Sequence, residues 1–185
     1  MIEVNNVSKE FKKTIKDPGL MGSVKSLFHK RTESVMAVND ISFHVDEGEI
    51  LGFIGPNGAG KSTAIKMLTG ILTPTSGDLT INGQVPYKNR KKYVKEIGVV
   101  FGQRTQLWWD LPLTETFSVL KEIYQVEDSA FKERFAFLNE VLELDAFIKS
   151  PVRTLSLGQR MRADIAASML HNPKVLFLDE PTIGL

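Results

Sequence analysis

Gly55-Pro56-Asn57-Gly58-Ala59-Gly60-Lys61-Ser62-Thr63 is the most informative stretch of this chain. It matches G-x-x-x-x-G-K-[ST], a pattern whose meaning depends on its surroundings. Upstream, Glu49–Ile54 reads as a short apolar strand running into the glycines. Downstream, Lys61–Leu68 reads as a helix, stopped by Gly70 with Pro74 soon after. In a strand–loop–helix setting, glycines let backbone N–H groups close around phosphate oxygens where a Cβ would clash. The helix N-terminus adds partial positive charge. Lys61 is then expected to reach the β- and γ-phosphates of ATP, and the Ser62 hydroxyl to ligate Mg²⁺. The competing reading, a tight glycine-rich turn inside a core, does not account for that setting.

Working outward, Ile2–Val4 and the alternating Met36–Val45 read as strands. So does Asp78–Ile81, closed by the Asn82-Gly83 turn signal, and so does the β-branched run Ile97–Phe101. The character then changes. Thr114–Tyr124 and Ser129–Leu144 have helical periodicity with charged outer faces. A third helix fits Leu157–Leu170, with Met161, Ile165 and Met169 on one face. Val175-Leu176-Phe177-Leu178 then reads as a buried strand. Strands at both ends with helices between predict an α/β core, residues 1–103 and 171–185, carrying a helical subdomain over 104–170.

Two further patterns carry chemistry. Asp179 and Glu180 follow the last apolar strand directly, and open α/β sheets bind ligands at the carboxyl ends of their strands. Beside a phosphate loop, Asp179 would hold Mg²⁺ through its water shell and Glu180 would polarise an attacking water. Alone, the pair is equally a solvated turn. Ser156 and Gln159 fit a capping box, so Ser156 should start the third helix. A helix N-terminus with an exposed Ser156 beside Gly158 is a second place for an anion.

Leu155-Ser156-Leu157-Gly158-Gln159-Arg160 resembles the LSGGQ signature of ABC ATPases, with Leu157 where glycine is commonest. Four other segments agree in order: the phosphate loop at Gly55–Thr63, Phe101-Gly102-Gln103 as a Q-loop, the Walker B-like strand before Asp179, and Pro181-Thr182-Ile183-Gly184-Leu185 as the start of a D-loop. Phe11 stands where the family places an aromatic against adenine. The resemblance implies a P-loop NTPase core of ABC type with an antiparallel β subdomain and an inserted α-helical subdomain. It implies ATP and Mg²⁺ as ligands, with Lys61, Gln103 and Glu180 catalytic and Ser62, Gln103 and Asp179 at the metal. Gly55, Pro56, Asn57, Gly58, Ala59, Gly60, Lys61, Ser62 and Thr63 would cradle the nucleotide. Ser156, Gly158 and Gln159 would reach the γ-phosphate held by a second copy. Gln106 is the alternative to Gln103. The family places a switch histidine and a D-loop acid beyond Leu185, so the domain is expected to be incomplete at its C-terminal end, with hydrolysis belonging to the full-length dimer and weak or absent in this stretch alone.

By the same resemblance the chain is expected to be an ATP-hydrolysing subunit, a homodimer or one of a pair, on the cytoplasmic face of the cell membrane. It would drive a separate integral membrane permease. The run from Gly102 to Pro112 favours the exporter side of the family. The alternative is a soluble ABC-type ATPase of translation or DNA repair. Such proteins usually carry two cassettes or a long coiled-coil insertion, and neither is seen. A third reading, a nucleotide-gated binding module without catalysis, sits poorly with an intact Glu180.

Composition bounds these readings. The 185 residues are 42% hydrophobic and 24% charged with a net charge of +1, an ordinary globular balance that offers no global case for nucleic acid or a membrane surface. No cysteine is present, so disulfides and thiolate metal sites are excluded. No apolar run approaches the roughly 18 residues needed to span a bilayer. Met1-Ile2-Glu3-Val4-Asn5 lacks the basic stretch and apolar core of a signal peptide, and a soluble protein is expected. Lys12–Ser34 reads as a basic insertion, with Leu20, Met21, Val24, Leu27 and Phe28 at helical spacing; it could lie on anionic lipid or be a solvated hairpin or helix. Trp108-Trp109 reads as core of the helical subdomain plus the edge of a partner groove. His29, His44 and His171 show no ligand spacing.

Overall fold

The computed structural model describes residues 1–15, 31–102 and 104–181, in two compact units, Met1–Asn89 and Arg90–Leu185. The first unit contains β1 (Ile2–Ile15), β2 (Arg31–Val45), α1 (Lys61–Leu68) and β3 (Ser76–Ile81). Its three strands form an antiparallel sheet in the order β2-β1-β3, with Ile2 opposite both Val45 and Ile81. Strict alternation from Ile2 and Val4 would turn Asn6 inward. A register shift between Val4 and Val7, with Asn6 at φ 49°, resets the pleat so that Val7 is buried instead. Asn6 then donates through Nδ2 to Asp40 Oδ1 at 2.9 Å. Helix α1 buries Ala64, Ile65, Met67 and Leu68, the spacing of one helical face. Asn82 (φ 49°) and Gly83 (φ 72°) close β3 with a tight turn, as their dipeptide predicts.

Two expectations change here. β1 and β2 run far beyond Ile2–Val4 and Met36–Val45. Lys12 pairs with Ser34 and Lys13 with Glu33, so both ends of the basic stretch are a two-stranded ribbon. A ribbon exposed on both faces has no reason to alternate in polarity, which is why its sequence does not read as strand. The remainder of that stretch, residues 16–30 with the helically spaced Leu20–Phe28, lies outside the described residues. Glu49–Ile54, expected to be a strand, makes no ladder among the described residues. Ile50 is 95% and Ile54 99% exposed. An apolar β-branched run has the composition of a strand, but only a neighbouring strand can supply the ladder.

The second unit runs α2 (Arg90–Tyr93), β4 (Ile97–Phe101), α3 (Leu113–Tyr124), α4 (Asp128–Leu142), α5 (Leu157–Met169) and β5 (Val175–Asp179). Short 3₁₀ turns at Leu144–Ala146 and Val152–Thr154 lead from α4 to α5. β4 and β5 pair in parallel, from Ile97 opposite Val175 to Phe101 opposite Asp179. The helices close on one core, in which Leu113, Phe117 and Leu120 of α3 meet Leu138, Leu144, Val152 and the alanines of α5. The boundaries of α3 and α5 fall within a residue of the expected ones. α4 stops at Leu142, short of Leu144, because Glu143 turns left-handed (φ 50°). β5 is less buried than its apolar run suggests: Phe177 points inward, while Leu176 and Leu178 are half-exposed. Among the described residues, no helix is long and apolar enough to cross a membrane.

Candidate functional site

In the first unit the loop before α1 has the geometry a phosphate needs. Gly58 (φ 84°) and Gly60 (φ 90°) both hold the left-handed backbone that side chains avoid. A Cβ on Gly60 would also lie 2.3 Å from the carbonyl oxygen of Ala37 on β2. Gly60 N-caps α1 through its carbonyl, which accepts from Ala64 N at 2.8 Å. Around Gly58 nothing lies within 4 Å of where a Cβ would stand, so the loop is open where an anion would approach. Lys61 folds back over it and donates through Nζ to the carbonyls of Gly55 at 2.7 Å and Pro56 at 2.9 Å. An ammonium has three donors, and these take two of them. Ser62 and Thr63 follow in the first turn of α1, where backbone amides point along the axis toward the loop. The residues present therefore fit a triphosphate. Phe11 is exposed on β1 opposite Val35, with Lys9 Nζ 5.3 Å from its ring centroid.

In the second unit Asp179 ends β5, and its carbonyl accepts from Gly102 N at 2.8 Å. Glu180 is exposed, with φ at 54°. A left-handed non-glycine residue costs on the order of 1 kcal/mol, and such outliers gather at working sites. Gln103 and residues 182–185 lie outside the described residues. Among those described, no group of three or more His, Cys, Asp or Glu could cage a metal. Mg²⁺ does not require one: it is usually held by one or two carboxylates together with phosphate oxygens and water.

The signature segment starts α5 as its residues dictate. Gln159 N donates to Ser156 Oγ at 3.2 Å, and Ser156 N donates to Gln159 Oε1 at 2.9 Å, closing the capping box. Leu157 is exposed beside them, in a first turn that needs no glycine there to be helical. Gln106, the alternative to Gln103, is committed elsewhere. Its Nε2 donates to Asp164 O at 3.2 Å and its backbone N to Asp164 Oδ1 at 3.1 Å. Trp108 and Trp109 are both partly exposed, so they edge the unit and leave its core to Leu107. The ring of Trp109 lies under the Arg160 guanidinium, 4.7 Å away. His171 stacks on Tyr124 at 3.9 Å and its Nε2 contacts Ile97 O at 2.9 Å; its burial lowers its pKa.

No motif marks Asp164, although one acid on the buried face of a helix, between Met161 and Ser168, is a legible signal. It is 7% exposed and accepts the Thr105 hydroxyl at 3.0 Å as well as Gln106 N. Burial pushes its carboxyl up from 3.8 to about 6, opposed by the Thr105 and Gln106 hydrogen bonds and by the nearby Arg160 charge. A raised acid pKa favours the folded state below the unfolded value, and that benefit is lost as pH climbs through the folded one. Between pH 3.8 and about 6 this group is thus expected to cost the fold about 3 kcal/mol. Asp164→Asn should lack that slope. Urea unfolding of both proteins at pH 4 and pH 7 checks it: the stability of the variant relative to the parent should rise with pH, and an unchanged difference would refute it.

Comparison with known proteins agrees with this geometry. Residues 38–183 match the family model described as ABC transporter. The chain is 39% identical over 148 residues to the uncharacterized ABC transporter ATP-binding protein YhcH of Bacillus subtilis, covering 80% of this chain and 47% of that protein. It is 35% identical over 163 residues to the linearmycin resistance ATP-binding protein LnrL of the same organism, covering 88% and 51%. The chain thus spans about half the length of these curated relatives. Among solved structures, an ATP-binding subunit of an ABC transporter superposes at TM-score 0.79 with 25% identity, covering all of this chain and 68% of the other. The ADP- and phosphate-bound dimer of the cassette MJ0796 superposes at 0.77, also at 25% identity, covering all of this chain and 76% of that one. The chain belongs to the ABC transporter family and has the fold of its ATP-binding cassettes.

Proposed function

We propose that this chain is the ATP-binding and hydrolysing subunit of an ABC transporter, powering transport of a substrate, by export, through a separate permease. The observation that carries this reading is the glycine loop of the first unit, open at Gly58 and spanned by the Lys61 ammonium. In this reading residues 1–103 and 171–185 form the nucleotide-binding core and 104–170 the helical subdomain. Phe11 stacks on adenine, the loop amides and Lys61 grip the phosphates, and Ser62, Gln103 and Asp179 hold Mg²⁺. Bound Mg²⁺ would neutralise charge on the β- and γ-phosphates. Glu180 and Gln103 orient the water that attacks the γ-phosphate, giving ADP and phosphate. Such a reaction needs positioning and charge neutralisation more than covalent chemistry. Ser156, Gly158 and Gln159 complete the site of a second copy, since a capped helix N-terminus suits an anion. The names of two relatives, LnrL and the probable multidrug ABC transporter ATP-binding protein YbhF of Escherichia coli, support export. The subunit would sit on the cytoplasmic face of the membrane.

The test is ATP hydrolysis by the full-length protein with Mg²⁺, together with its sedimentation with cell membranes. Saturable phosphate release is expected. ATP binding without release would remove the enzymatic half of the reading, and a wholly soluble distribution the permease half. Phe11→Ala is expected to weaken ATP binding about tenfold, the value of one base–aromatic stack, and to leave inorganic triphosphate binding unchanged. Calorimetric titration with both ligands reads the difference, and equal losses for the two would remove Phe11 from the adenine site.

A further inference from the structure

In the second unit α5 is held to β4 near its C-terminal end, and to the segment that follows β4 at its middle and N-terminal end. At its C-terminal end, Gly98 of β4 comes so close that a Cβ there would lie 2.3 Å from Ser168 O. Just beyond, His171 Nε2 contacts Ile97 O at 2.9 Å. At its N-terminal end, Arg160 covers Trp109, and Trp109 O accepts from Arg153 N at 2.9 Å. Between these, Asp164 takes the Thr105 hydroxyl and the Gln106 amide on one carboxylate oxygen. The Gln106 side chain returns to the Asp164 carbonyl, and the Thr105 hydroxyl also accepts from Leu107 N at 3.0 Å. Thr105 and Gln106 follow Gln103 by two and three residues in the sequence. The helix that receives these bonds begins at Ser156, and the strand paired with β4 ends at Asp179.

We propose that Asp164 is a positioning residue for ATP hydrolysis: by accepting from Thr105 and Gln106 it locks the chain leaving β4 to the signature helix. Ser156 and Gly158 then hold a fixed place relative to the carboxylates that end β5. Nothing in this role touches nucleotide. A bare hydrophobic contact would let the segment slide along α5, whereas directed hydrogen bonds on a buried acceptor admit one register. The clasp is built for geometry and not for charge, because a neutral amide oxygen at the same place accepts the same two donors.

The inference rests on the ATPase reading above, and the experiment separates the two. Asp164→Ala, Asp164→Asn and Thr105→Val are compared with the parent in the full-length protein for ATP dissociation constant, KM and kcat, with kcat normalised to the number of ATP-binding sites. Asp164→Ala is expected to lower kcat tenfold or more, since displacements of about 1 Å cost rate steeply, with the ATP dissociation constant held within about twofold. Asp164→Asn should restore kcat to within about threefold of the parent, which a loss of fold or of charge would not allow. Thr105→Val, which removes only a hydroxyl, should follow the alanine variant in direction and decides the matter if that variant does not fold. The proposal is overturned if kcat per site is unchanged in the variants that fold, or if Asn is as damaging as Ala. A full-length parent that binds ATP and never hydrolyses it would overturn the ATPase reading and this inference with it.

Discussion

Lys61→Ala is expected to weaken ATP binding by about a hundredfold, the loss of charge-assisted hydrogen bonds worth about 3 kcal/mol. The ammonium is already placed over the loop by the carbonyls of Gly55 and Pro56, so its rotamer entropy is partly spent before any phosphate arrives. The fold should tolerate the change. Gly55 and Pro56 are exposed, and water can satisfy the two carbonyls that lose their donor. Helix α1 keeps its buried face and its Gly60 cap. Isothermal titration with ATP and Mg²⁺ measures the affinity, and circular dichroism checks the fold. An alanine variant that folds and holds ATP within about twofold of the parent would end the nucleotide reading of this loop.

Glu180→Gln is expected to lower kcat at least a hundredfold while ATP affinity stays within about twofold, because removing a positioned general base costs rate and not ground-state binding. Glutamine keeps the length and shape of the side chain and loses only the ionised acceptor. Glu180 is exposed at the end of β5, and its left-handed backbone is no worse for glutamine than for glutamate, so stability should hardly move. With hydrolysis blocked, ATP should also accumulate a dimer, because the signature helix of one copy would stay on the phosphate of the other. Phosphate release measures the first effect, and sedimentation velocity with and without ATP the second. An unaltered rate would take Glu180 out of the chemistry. A monomer at saturating ATP would break the two-copy arrangement.

Where the sequence could be read correctly, the determining contacts are local. The glycine loop before α1 is legible because Gly58 and Gly60 must adopt φ values that few residues tolerate, and because Lys61 reaches carbonyls within six residues of itself. The start of α5 is legible because Ser156 and Gln159 satisfy each other across a single turn. Helices α3, α4 and α5 announce themselves by a period set by backbone geometry.

What only the tertiary structure decided depends on partners far away in the chain. The length of β1 and β2 follows from pairing such as Lys12 with Ser34, which gives solvated residues no pattern to display. Glu49–Ile54 has the composition of a strand but no ladder among the described residues, since a strand's hydrogen bonds belong to its neighbour. Gln106, the fallback to Gln103 in the sequence, has its backbone and side-chain amides bound to Asp164, 58 residues on. By itself, then, the sequence determined the glycine loop before α1 and the helices α3, α4 and α5, because each is written in bonds a few residues long. The ribbon, the state of the Glu49–Ile54 run and the Asp164 clasp waited for the fold, because their energies exist only between segments that folding brings together.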